Sequence, residues 1–94
     1  MKKARAHVIV SGLVQGVFFR AHTQEAAVLH GVTGWVRNNH DGTVEAIFEG
    51  KEETVKKMVG WCKKGPPAAM VEDVDIRWGE FKDEFPGFTI RYGD

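Results

Sequence analysis

Apolar and polar residues alternate from His7 to Gly12, with Val8 and Val10 on one side and His7, Ile9 and Ser11 on the other, which predicts a first strand. Ile9 breaks the strict alternation, as in a central strand covered in part on both faces. From about Arg20 or Ala21 to His30 the chain predicts a helix carrying Ala26, Ala27, Val28 and Leu29, which Gly31 stops in the left-handed conformation. Gly34 to Asn38 reads as a second strand and Thr43 to Glu49 as a third, with Val44, Ala46 and Phe48 on one face. Between them Asn39-His40-Asp41-Gly42 forms a hairpin turn, for which Asp-Gly is a strong signal.

The clearest periodicity lies between about Glu52 and Lys64, where Val55, Met58, Val59 and Cys62 fall at i, i+3, i+4 and i+7. Glu52 and Glu53 in the first turn and Lys63 and Lys64 in the last both suit the helix dipole, and Gly65-Pro66-Pro67 ends the segment. Val74, Ile76 and Trp78 alternate with Asp75 and Arg77 in a fourth strand, and Phe88, Ile90 and Tyr92 mark a short fifth. The order is βαββαβ with an extra terminal strand. Two helices on one face of a largely antiparallel sheet would cover both apolar stripes, an α+β ferredoxin-like sandwich.

Composition narrows the function classes. With 94 residues and 43% hydrophobic positions the chain, residues 1–94, is expected to be one domain with a single small core. Thirteen basic and 13 acidic residues cancel, so no global field attracts nucleic acid or anionic lipid, and any positive site must be local. The single cysteine, Cys62, on the apolar stripe of the second helix, reads as a core thiol. No Cys/His spacing matches a zinc site, so a metal-free fold in a reducing compartment is expected. Met1-Lys2-Lys3 before Val8-Ile9-Val10 imitates a signal peptide, but His7, Ser11 and Gln15 interrupt the apolar run and no stretch reaches membrane-spanning length. The expected setting is cytoplasmic.

One segment points to chemistry. Gly12-Leu13-Val14-Gln15-Gly16-Val17-Phe18-Phe19-Arg20 follows a strand and opens a helix. Gly12 and Gly16 permit positive φ, so that several N–H groups converge where the helix adds its own unpaired amides and positive dipole end. Arg20 at that end costs ~0.3–1 kcal/mol by itself, and an anionic ligand reverses the sign. As bland alternatives, Arg20 could be a solvated surface residue, Asn38 could satisfy a strand end, and the glycines could be turn residues only.

The first loop together with Gly34-Trp35-Val36-Arg37-Asn38 and Asp41-Gly42-Thr43-Val44-Glu45 resembles the acylphosphatase family, and the likeness runs through Lys63-Lys64-Gly65-Pro66-Pro67 to the C-terminus. The resemblance implies hydrolysis of the mixed anhydride of acyl phosphates to a carboxylate and inorganic phosphate, with no metal and no cofactor. It assigns phosphate binding to Arg20 and the attacking water to Asn38, and implies that a phosphoryl oxygen takes the water's proton. The residue chemistry agrees, because an activated anhydride needs only a held dianion and an aligned water. Backbone amides of Gln15, Gly16, Val17, Phe18, Phe19 and Arg20 are expected to grip the phosphate, with Gly12 shaping the loop and Thr43 supporting Asn38 across the hairpin. Asn39 departs from the threonine that the resemblance leads one to expect after Asn38.

Three other readings compete: a phosphate-binding module without turnover, an RNA-binding domain of the same element order, and a segment of a larger carbamoyl-transfer protein. Asn38 beside Arg20 argues against the first. The first strand lacks the aromatics that RNA stacking needs. The chain's end just after the fifth strand leads us to expect a free-standing enzyme; a monomer is expected, with small acyl phosphates and inorganic phosphate as its partners.

Overall fold

A computed structural model describes residues 2–92; Met1, Gly93 and Asp94, and with them the two ends of the expected domain, lie outside the described residues. Five strands and two helices follow the expected order: β1 (Lys3–Leu13), α1 (Phe19–His30), β2 (Thr33–Asn38), β3 (Val44–Lys51), α2 (Glu52–Lys64), β4 (Met70–Gly79) and β5 (Phe88–Arg91). The strands form one sheet in the order β4-β1-β3-β2-β5, antiparallel except for the parallel β2–β5 pair. The fold is therefore the expected ferredoxin-like sandwich with one added edge strand. α2 packs on β1, β3 and β4, and α1 on β2 and β5.

β1 starts four residues earlier than its hydrophobic pattern suggests. Lys3 to Ala6 pair with Lys51 to Phe48, and the core-facing positions there are the small Ala4 and Ala6, which fill a thin part of the sandwich without a strong apolar signature. β4 likewise extends back to Met70, because a bulge at Glu72 of β4, opposite Ser11 and Gly12 of β1, keeps the ladder going to a Leu13–Met70 pair. Gly12 is required at that bulge. Its φ is 120°, and a Cβ would strike the Met70 carbonyl oxygen.

α1 corrects the expected apolar stripe. Its buried residues are Phe19, Thr23 and Ala27, at i, i+4 and i+8, whereas Val28 and Leu29 are 65% and 82% exposed. Thr23 is tolerated in the core because its hydroxyl donates to the Phe19 carbonyl at 2.7 Å. Phe19 meets Trp61 of α2 edge-to-face, with centroids 5.4 Å apart, so the first residue of α1 anchors the helix pair. Val55, Met58, Val59 and Cys62 are buried as the periodicity predicts, under Val8, Val10, Val44, Ala46 and Phe48 of the sheet.

On the far face, Glu49 of β3 is fully buried beneath the segment 80–87, where Arg5 (2.9 Å) and the Lys82 backbone N–H (2.8 Å) both donate to its Oε2. Arg5 also reaches Glu84 at 2.7 Å. This strap between β4 and β5 is thereby pinned to Arg5 and Glu49 of the sheet. Farther along, Glu45 accepts from Arg37 and pairs with His7 Nε2 at 2.6 Å.

Candidate active site

The loop from Val14 to Phe18 is held at both ends by side chains that cannot leave the core: Val14 is completely buried and Phe19 is 2% exposed. Between them the backbone must reverse in very few residues. Gly16 does so at φ 77°, and Phe18 enters the helix in the left-handed region at φ 62°, ψ 27°, with its ring 76% exposed. A left-handed non-glycine residue costs on the order of 1–3 kcal/mol, and such strain gathers at ligand-binding turns. Here it aims the start of α1 at a cleft. The first backbone hydrogen bond of that helix runs from His22 N–H to Phe18 O at 3.1 Å, so the amides before it have no intrahelical acceptor. No side chain caps this end and no acid lies in the first turn.

The cleft, about 290 Å³, is lined by Val14, Gly16, Phe18, Phe19, Arg20, Ala21, Asn38, Ile90 and Tyr92. Arg20 rises from the first turn of α1 and stacks its guanidinium over the Tyr92 ring at 5.0 Å. Among the described residues no carboxylate pairs with it and no acceptor takes its N–H groups. Asn38 closes the last register pair of β2 with Val44 of β3, and its side-chain amide is likewise uncommitted among the described residues. A fork of cationic donors, a set of helix amides and a neutral amide thus face one cleft. A phosphoryl group matches the first two and a water the third.

The β2–β3 turn that carries Asn38 is internally locked. Asn39 N–H bonds to Thr43 O at 2.9 Å, Asn39 Nδ2 donates to Thr43 Oγ1 at 3.0 Å, and the Thr43 hydroxyl donates to Asp41 Oδ1 at 2.6 Å. Thr43 therefore holds the turn that follows Asn38 through its bonds to Asn39 and Asp41. These bonds also hold the Asp41 carboxyl below its usual range, first through the Thr43 hydroxyl and then the Thr43 amide. Asn39 does the stabilising that the expected threonine would have to do differently.

Arg20, Asn38, Gly16, Phe18 and Phe19 all meet in the cleft, while the side chains of Gln15 and Val17 do not line it. Val17 packs against the core. The Gln15 amide instead crosses to the hairpin, donating to Asn39 O at 2.8 Å and Thr43 O at 2.9 Å. Ile90 and Tyr92 are cleft walls that the sequence reading left unassigned. The Phe88, Ile90, Tyr92 alternation was the available signal, but it gains meaning only from β5 lying beside β2. Cys62 does not line the cleft; it lies in the α2 core, where burial pushes its thiol up to about 12. Among the described residues no group of three His, Cys, Asp or Glu side chains could hold a metal ion.

A family model described as acylphosphatase matches residues 6–90. The chain belongs to the acylphosphatase family. An acylphosphatase of Pelotomaculum thermopropionicum is 55% identical over 92 residues, spanning 98% of this chain and 100% of that one. The crystal structure of the Bacillus subtilis acylphosphatase superposes with a TM-score of 0.90 at 35% identity, covering 95% of this chain and 99% of that chain. The Coxiella burnetii acylphosphatase gives 0.89 at 36% identity, covering 95% and 93%. This likeness decides against the RNA-binding reading, whose element order the acylphosphatase fold shares, and it gives the cleft between Arg20 and Asn38 a chemical context.

Proposed function

We propose that this acylphosphatase-family chain hydrolyses the carboxyl–phosphate anhydride of small acyl phosphates, with Arg20 holding the phosphate and Asn38 orienting the water. The observation that carries the reading is the convergence of Arg20 and Asn38, two side chains without a hydrogen-bond partner among the described residues, on the amide-rich start of α1. The substrate dianion seats against the backbone N–H groups of Gln15 to Arg20, and the guanidinium takes two of its oxygens as a fork. Asn38 accepts from or donates to a water held opposite the anhydride oxygen. That water attacks phosphorus while the P–O bond to the acyl group breaks, releasing a carboxylate.

The leaving carboxylate is stable as an anion, so no general acid is needed at that oxygen. Nor does the cleft lining include a carboxylate or imidazole to take a proton from the water, and the proton passes to a phosphoryl oxygen, giving inorganic phosphate. As charge moves onto the departing carboxylate, Arg20 and the helix amides stabilise the phosphoryl oxygens without reorganising, which is the larger part of the catalysis. These groups supply the stabilisation that a metal would otherwise provide, and turnover should survive exhaustive chelation. A single buried cysteine and a formal net charge of zero fit a single-domain monomer acting on a diffusible substrate in the cytoplasm, without nucleic acid, membrane or cofactor. No described helix is long and apolar enough to cross a membrane.

The test is turnover of a generic acyl phosphate against a phosphate monoester in parallel. Hydrolysis of the first with little of the second supports the reading, because an alkoxide leaving group does need a proton. Phosphate binding with no turnover of either would assign the cleft to a binding module instead.

A further inference from the structure

We propose that Gln15 is a positioning residue, whose side-chain amide fixes the Asn38 turn against the phosphate loop so that the water stays in line with the bond to be broken. The inference rests on the role given to Asn38 above. Gln15 stands in the loop itself, between the fully buried Val14 and the Gly16 reversal, so its backbone belongs to the segment to which phosphate binding is assigned above. Its side chain leaves that run and spans to the hairpin, where Nε2 donates to Asn39 O at 2.8 Å and to Thr43 O at 2.9 Å. Those two residues flank the site closely: Asn39 follows Asn38 in the chain, and Thr43 precedes Val44, its register partner. One amide thus bonds to both arms of the turn that carries the water-orienting group.

Satisfying the hairpin is not what this amide is for. Thr43 O already accepts the Asn39 N–H at 2.9 Å, and Asn39 O accepts the Gly42 N–H at 3.3 Å. Neither carbonyl would be orphaned without Gln15, and the turn has further bonds of its own through Asp41 and Thr43. What Gln15 adds beyond the end of the β1–β3 ladder at Val10–Val44 is a direct side-chain link between the loop that leads to Arg20 and the turn that follows Asn38, 24 and 28 residues away in sequence. In-line attack is sensitive to that relation, since a misplacement of about 1 Å can cost 10²-fold in rate.

Gln15→Met keeps length and bulk and removes both donors, and the half-buried setting tolerates it. The measurement is kcat and the inhibition constant of inorganic phosphate for wild type, Gln15→Met, Asn38→Ala and the double variant, each confirmed as folded by its urea unfolding midpoint. Gln15→Met should lower kcat about tenfold, the loss of one or two neutral hydrogen bonds' worth of positioning, with phosphate inhibition unchanged. In the Asn38→Ala background it should cost nothing further, because the group it positions is gone. Gln15→Glu provides a second reading should the methionine variant misfold. Its carboxylate can donate nothing, and its activity relative to wild type should recover as pH falls and a protonated acid regains one donor. A wild-type kcat in folded Gln15→Met, a full additional loss in the Asn38→Ala background, or phosphate inhibition weakened in step with kcat would overturn the positioning role. Asn38→Ala at wild-type kcat would instead overturn the reading of Asn38, and the proposal with it.

Discussion

At the scale of single residues, the loop works because two positions accept unusual backbone geometry for different reasons. Gly12 is fixed by a close approach of β4, while Gly16 at φ 77° has open space around it, so only its backbone conformation demands glycine. Gly16→Val should therefore fold with a modest penalty, about 1–2 kcal/mol for a side chain in the left-handed region, yet lose phosphate affinity disproportionately as the amides turn away. Phosphate titration followed by amide chemical shifts would check this, and shifts mapping to α2 instead would remove the cradle. Both glycines were legible in the sequence as positive-φ positions because a glycine-punctuated turn after a strand is a local signal. Gln15 was legible as part of the loop but not as a strut, since its acceptors lie on a hairpin whose distance from the loop no local pattern encodes. Asn39 and Thr43 were likewise visible as turn residues, and only the three-dimensional turn shows that they bond to each other.

At the scale of elements, periodicity located α2 with its boundaries intact because four buried apolar residues repeat at helical spacing between matched charges. α1 was placed less well on its apolar face. Its true stripe hides a threonine, and the apolar run at Ala26 to Leu29 winds around the helix and leaves Val28 and Leu29 in solvent. Leu29→Ala should consequently change stability by no more than about 0.5 kcal/mol, while Phe19→Ala, which empties the contact with Trp61, should cost about 3–5 kcal/mol. Denaturant midpoints for the pair give the comparison, and a costly Leu29→Ala would reverse the assignment of faces. The strap over Glu49 makes a separate prediction. Burial alone would raise the Glu49 carboxyl, but the Lys82 amide, Arg5 and the Glu84 amide more than offset it and hold the group below its ordinary value of 4.5. A carboxyl lowered in the folded state binds its proton more readily when unfolded, so this stability is complete above about pH 4.5 and drains as pH falls through the lower folded value. Urea unfolding between pH 7 and pH 3 should show that acid loss, and Glu49→Gln should be less stable at pH 7 by about 1–3 kcal/mol with a flatter acid limb. An equally steep limb in the variant would place the titrating group elsewhere.

At the scale of the whole molecule, the strand order turns separate signals into a site. Hydrophobic alternation identified every strand, and element order suggested the sandwich, but alternation is blind to neighbours. That β5 lies parallel to β2 brings Ile90 opposite Val36 and sets Tyr92, just past the end of β5, against Arg20, which makes both residues walls of the cleft. The same order sets the end of β2, and Asn38 with it, beside the start of α1. In the proposed mechanism Arg20 meets the phosphate in both ground and transition states, whereas Asn38 meets only the water, so their loss should leave different kinetic marks. The most direct measurement is kcat and the phosphate inhibition constant for Arg20→Ala and Asn38→Ala, with both variants shown to be folded. Arg20→Ala should weaken phosphate binding and lower kcat. Asn38→Ala should keep phosphate inhibition near wild type and lose ~10²–10³ in kcat, the worth of one preorganised hydrogen-bonding group. Normal phosphate inhibition in Arg20→Ala, or full kcat in Asn38→Ala, would contradict the division of roles between them.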